Sequence, residues 1–264
     1  MVSAWLVSHI PAGLLLVLLI VVIAGGAVAL QVLVRRRFPV LRREDHNDVT
    51  KFTYGVIGFV YAFFIGFVVS AMWSQIGAAD GKARAEGSAA VQMARDASVF
   101  APADADRIRA SLLTYEQAAI DEWSNAIHGS SAAADSALAD LYSTYRQIRP
   151  ADDVQKSVLT TSVVNLDKIS QARTERIVQA RTDTGPPWPL WAVIFLTSAM
   201  VLGTVIIYGV EHPMMHYPMV AIVGTLVATN LFLVLQLSHP FLGGIAVSPE
   251  PLREVVAVLS GERG

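Results

Sequence analysis

Four stretches of this chain run for about twenty residues or more without one charged side chain. They are Pro11 to Val34, Phe52 to Trp73, Trp188 to Val210 and Pro218 to Leu237. A helix rises about 1.5 Å per residue, so about 20 apolar residues cross the roughly 30 Å hydrocarbon layer of a bilayer. Inside hydrocarbon the backbone must satisfy its own hydrogen bonds, which restricts such segments to helices. Nothing basic precedes the first run, and it is about twice the usual apolar core of a secretion signal, so it reads as a retained membrane helix. Trp73, Trp188, Trp191, Tyr208 and Tyr217 fall at the ends of the runs, where amphipathic rings favour the headgroup zone. The composition agrees, with 53% hydrophobic and 16% charged residues against about 25% charged in ordinary soluble domains. The net charge of −2 gives no sign of a nucleic-acid partner, and the absence of cysteine removes disulfides and thiolate chemistry.

The expectation is an all-α integral membrane protein with four transmembrane helices and a helical insert between the second and third. We divide the chain into residues 1–74 (helices 1 and 2 with a basic loop), 75–187 (an extramembrane helical bundle), 188–238 (helices 3 and 4) and 239–264 (a turn and a short amphipathic helix). The basic loop "RRRFPVLRREDHNDVTK" holds Arg35, Arg36, Arg37, Arg42, Arg43 and Lys51, while the connection "EHPMMHY" holds no Lys or Arg. The positive-inside rule then places loop 35–51 in the cytoplasm, and insert 75–187 and both termini outside, for a multi-pass protein of the plasma membrane.

In the insert, Ile108, Leu112, Tyr115, Ala119, Trp123 and Ile127 recur three or four apart, as on one helical face. Leu138, Leu141, Tyr145 and Ile148 repeat the pattern, and Val154, Val158, Leu166 and Ile169 do so again. Pro102, Gly129 and Pro150 mark boundaries. Gly81 and Gly87 weaken the stretch Asp80 to Phe100 as a helix. Near the C-terminus, Ser248-Pro249-Glu250 starts a helix whose apolar face is Leu252, Val255, Val256 and Leu259.

No nucleophile elbow, phosphate-binding loop, zinc-protease motif or dinucleotide fingerprint is present, so catalysis is not expected, and neither is a cofactor. Asp121-Glu122 and Asp152-Asp153 are neighbours in sequence and point to different faces of a helix. His46, Asn47 and Asp48 read as a helix cap before span two. Glu211, His212 and His216 contain a His-X3-His pair, but Pro213 argues against the helix that would align it, and no metal site is assigned. Thr225, Thr229 and Gln236 share nearly one face of span four with Asn230 beside it. Such intramembrane polar residues serve interhelical hydrogen bonds or, less commonly, an ion path. Lys168, Arg173, Arg176 and Arg181 form either a solvated or headgroup-facing surface or an electropositive vestibule for anions.

"HNDVTKFTYGVIGFVYAFFIGFVVSAMWSQIGAADGKARAEGSAA", "LDKISQARTERIVQAR" and "LSHPFLGGIAVSPEPLREVV" together resemble the bestrophin-like family of bacterial membrane proteins, from about His46 to Leu259. That family is remotely similar to bestrophins, which are oligomeric anion channels, chiefly through "AFFIGFVVSAMWSQ". The resemblance implies a homo-oligomer, five subunits in bestrophins, that passes small anions through a hydrophobic neck on span two. Carried over by position, the three neck residues fall on Phe59, Phe63 and Gly55, so one ring would lack a side chain. Bestrophins keep insert and termini in the cytoplasm, the reverse of what the basic loop implies here, and the C-terminal tail shows no acidic calcium clasp. From the residues alone, Phe59, Phe63 and Phe67 fit lipid-facing or interhelical packing as well as a dewetting neck. Gly55, Gly58 and Gly66 support close helix approach. The alternative function is a non-conducting envelope scaffold whose insert binds a partner.

Overall fold

The computed structural model describes residues 2–38, 47–123, 129–181, 185–208 and 213–261. All regular structure among them is helical: α1 (Val2–His9), α2 (Ala12–Arg37), α3 (Asn47–Asp96), α4 (Pro102–Trp123), α5 (Ala132–Gln147), α6 (Asp153–Arg181), α7 (Trp188–Ile207), α8 (Pro213–Leu237) and α9 (Glu250–Ser260). A 3-10 turn, Ala97–Val99, follows α3. Among the described residues, four helices are long and apolar enough to cross a membrane, over Ala12–Arg37, Phe52–Val99, Trp188–Ile207 and Met214–Leu237. The protein is therefore an all-α integral membrane protein with four transmembrane helices. The short α1 has no counterpart in the sequence reading.

The chain divides into two compact units, Met1–Gln75 with Thr184–Ala246, and Ile76–Asp183 with Val247–Gly264. In the first, the membrane unit, α2, α7 and α8 pack on one another. The α2–α8 contact is built from small residues: a Cβ added to Gly224 would stand 2.7 Å from Ala24 Cα. Without a hydrophobic drive between helices in lipid, such close backbone approach supplies the packing. Several larger apolar residues of α2, among them Leu14, Val17, Leu18, Val21 and Val22, are exposed, as suits helices solvated by acyl chains.

Helix α3 has 50 residues, about 75 Å at 1.5 Å per residue, and it continues past the hydrocarbon-length run. Gly81 and Gly87 do not interrupt it. Gly87 has a local reason: a Cβ there would lie 2.7 Å from Pro251 O at the start of α9.

In the second, the insert unit, α4 packs on α5 and α9, and α5 on α6. The expected apolar face of α4 is buried at Ile108, Leu112, Tyr115, Ala119 and Trp123, and Leu141, Tyr145 and Ile148 of the next face are buried too; Ile127 lies outside the described residues. Val154, in the first turn of α6, departs from its expected face and is 64% exposed. Leu252 and Val255 seat α9 in the core, and Trp123 Nε1 donates to Val247 O at 3.1 Å just ahead of it.

Helix α8 begins at Pro213, five residues ahead of the span-four start read from the sequence at Pro218. Proline fits the first helical position, where its missing N–H would have had no partner.

Candidate functional site

Within the membrane unit, α3 shows two unlike faces. Tyr61, Ile65, Val68 and Met72 are buried, and Ser198 Oγ of α7 lies 3.4 Å from the Tyr61 hydroxyl. Opposite them, Gly55, Phe59, Phe63 and Phe67 stand exposed, Phe59 at 73% and Phe63 at 74%. The spacing of four residues keeps these rings on one side of the helix. Beyond the helix's own backbone, no atom of the described residues lies within 4 Å of where a Cβ on Gly55, Gly58 or Gly66 would sit, so no described neighbour requires a glycine at any of them. At the end of the aromatic face, Phe64, Phe67, Val68, Met72 and Pro187 line an apolar hollow of about 200 Å³.

The polar residues of span four have local partners. Thr225 Oγ1 donates to Ala221 O and Thr229 Oγ1 to Thr225 O, each at 2.9 Å. Gln236 Oε1 accepts from Gly244 N at 3.2 Å, which ties the Gly243-Gly244 turn back to the helix end. Asn230 is half-buried. Of the basic-loop residues, Arg35 is buried, with Nη1 3.1 Å from His216 Nδ1, while Arg36 and Arg37 are exposed. Arg42 and Arg43 lie outside the described residues, as do His46, Glu211, His212 and the Lys51, Asn47 and Asp48 side chains. Gln31 Nε2 also meets His216 Nδ1, at 2.9 Å, and His216 Nε2 faces Val205 O at 3.0 Å. Both ring nitrogens are thus engaged: Nδ1 accepts and Nε2–H donates. No cluster fit to hold a metal occurs among the described residues.

In the insert unit, the four candidate vestibule residues separate. Lys168 and Arg181 are exposed. Arg173 and Arg176 are buried, at 5% and 4% exposure, so they do not form the solvated cationic surface considered from the sequence. Arg173 Nε donates to Glu122 Oε2 at 2.9 Å and Nη2 to Glu122 Oε1 at 2.7 Å, a bidentate fork. Nη2 also reaches Asp135 Oδ1 at 2.8 Å. Burial alone would lower the Arg173 pKa, but the bonds from Glu122 and Asp135 hold it above its ordinary value. Arg176 lies over the Trp123 ring, 4.5 Å from its centroid.

The sequence reading missed Glu86 and Glu116 and named Glu122 only as the neighbour of Asp121, without placing it in this cluster. A signal was present. Glu116 follows Leu112 by four and Glu122 follows Ala119 by three, which places both carboxylates on the apolar face of α4. Asp121 is exposed while Glu122 is buried, so the adjacent acids do point to different faces.

A family model described as the bestrophin-like domain matches residues 21–252. The chain belongs to the bestrophin-like family. Among solved structures, the bestrophin-like fold recurs in a point mutant of a bacterial bestrophin homologue from Klebsiella pneumoniae, at TM-score 0.69 and 14% identity, covering 93% of this chain and 99% of that one. A second point mutant of the Klebsiella pneumoniae homologue gives TM-score 0.66 and 16% identity over 94% and 97%. The homologue phased with zinc gives 0.63 and 16% over the same shares. No curated protein matches. At these identities the likeness establishes the fold of this bestrophin-like chain and nothing finer.

Proposed function

We propose that this bestrophin-like chain assembles as a homo-oligomer around its second span. In this reading it passes small anions along the shared axis, through a neck made by Phe59 and Phe63. The observation that carries the proposal is the outward face of α3. Its aromatic rings stand largely exposed, and no described neighbour beyond the helix's own backbone comes within 4 Å of where a Cβ on its glycines would sit, although glycine inside a helix costs roughly 0.5–1 kcal/mol relative to alanine. Close approach of another copy gives those glycines a use, whereas lipid would accept a larger residue equally well. A ring of phenylalanines from several copies excludes water when narrow and admits a hydrated ion when it widens. Gly55 leaves the corresponding level of the neck open. Lys168 and Arg181, exposed where Arg173 and Arg176 are not, are the basic residues left to attract anions to an entrance.

The test is chloride flux from liposomes carrying purified protein. Phe59→Ala with Phe63→Ala is expected to raise flux several-fold over the wild type. Equal flux in a wild type that conducts would remove the neck. A wild type that never conducts while remaining oligomeric would leave the scaffold function in its place.

A further inference from the structure

Charge balance inside the insert unit poses a separate problem, independent of conduction. Among the described residues, its interior holds three buried glutamates, Glu86, Glu116 and Glu122, and two buried arginines, Arg173 and Arg176. Arginine keeps its charge at any pH a folded protein meets. Three ionised carboxylates would therefore leave one negative charge uncompensated where water is excluded, and a buried group in that position neutralises instead.

The geometry distributes the partners unevenly. Glu122 takes the Arg173 fork and the Ser131 N–H at 2.6 Å. Glu86 Oε1 accepts the Tyr115 hydroxyl at 3.2 Å and lies 3.7 Å from Arg176 Nη2. Glu116, with no exposed surface, has no hydrogen-bond partner at either oxygen. Arg176 makes no hydrogen bond through its nitrogens, stands 3.7 Å from both Glu86 and Glu122, and spreads its charge over Trp123. Asp135, the acidic partner from α5, has its side chain 53% exposed and meets Arg173 rather than Glu116. Helix α9, which also packs on α4, keeps Glu250, Arg253 and Glu254 exposed.

We propose that Glu116 is a resident proton-binding site, neutral at physiological pH, and that loss of its proton loosens the insert unit. Burial first, and then the charge of Glu86, push the Glu116 carboxyl well above the ordinary carboxylate range, against the opposing pull of Arg176. The sign follows from proton binding. The folded chain keeps a proton that the unfolded chain releases near the ordinary glutamate value of about 4.3. The stabilisation is thus complete below that value and is lost as pH rises through the raised one. Alkaline pH is the destabilising direction.

The experiment uses the full chain in detergent micelles, unfolded thermally from mildly acidic to mildly alkaline pH, alongside Glu116→Gln. The gap between the two should widen in the glutamine's favour as pH rises from mildly acidic to mildly alkaline, because glutamine mimics the neutral acid and cannot ionise. Infrared spectra of the wild type at neutral pH should show the C=O stretch of a protonated carboxylic acid, absent from Glu116→Gln. A glutamine variant less stable at every pH, by a margin that does not shrink as pH rises, would mean that Glu116 is an ionised partner of Arg176, and would overturn the proposal. Persistence of the acid band in that variant would place the proton elsewhere and also overturn it. The infrared measurement requires only the wild type, so a variant that does not fold leaves the claim testable: absence of the band is enough to reject it.

Discussion

In the membrane unit, Leu14, Val17, Phe195 and Leu226 face outward, and the α2–α8 seam is made by Ala24 and Gly224. In the insert unit, Ile108, Leu112, Leu141 and Leu166 are fully buried, and among the described charged residues only Glu86, Glu116, Glu122, Arg173 and Arg176 lie inside. The two units thus sort the same residue types in opposite directions, each according to its solvent. Apolar side chains have nothing to gain by hiding from acyl chains, so small residues take the contacts there. Water drives those side chains inward in the insert unit, and any charge that follows must bring a partner. An outward phenylalanine is consequently ordinary in one unit, while an inward glutamate is exceptional in the other.

The sharpest way to break this contrast is to strip a buried charge of its partner. Arg173→Met should destabilise the insert unit by about 3–5 kcal/mol, since Glu122 would be left buried without the guanidinium that compensates it. Chemical denaturation followed by Trp123 fluorescence reads the change, and a near-neutral result would mean that water reaches Glu122. In the membrane unit the matching lesion is steric. Gly224→Ala should cost about 1–3 kcal/mol by pushing Ala24 away, read as earlier loss of helicity on heating in detergent; a silent substitution would mean that α2 and α8 do not meet closely. Ser131 Oγ accepts from Ala134 N at 3.0 Å as the N-cap of α5. Ser131→Ala should therefore lower stability by about 1 kcal/mol in the same denaturation assay.

Period and length made the frame legible. The four charge-free runs announced the spans, and the three-or-four spacing of Leu112, Tyr115 and Ala119 announced the core of α4. Less legible was what depends on a neighbour distant in sequence. Gly87 looked like a weak point for a helix and is instead where Pro251 comes close. Pro218 looked like the start of span four, yet α8 already begins at Pro213, because a proline at the first turn sacrifices no hydrogen bond. Arg173 and Arg176 looked like a surface, since their partners Glu86 and Glu122 come from other helices and no local period links them. Of the neck proposal, the sequence showed the aromatic spacing. The structure adds that Phe59 and Phe63 stand largely exposed, on the side of α3 away from the buried Tyr61 and Ile65.

The smallest effect belongs to the solvated surface of the insert unit. Lys82 Nζ lies 2.7 Å from Glu175 Oε2 with both side chains more than a third exposed, and this lysine, together with Gln171, lowers the Glu175 pKa. Lys82→Ala should leave the denaturation midpoint almost unmoved, and any small loss should vanish in high salt.

The most direct measurement of the central claim uses the lack of native cysteine. Single Phe59→Cys and Phe63→Cys variants, oxidised in native membranes, would be compared with Phe195→Cys on the exposed face of α7. Covalent dimers at positions 59 and 63, and none at 195, are expected if α3 faces a shared axis. Monomers alone at 59 and 63 would place those rings against lipid and contradict the neck.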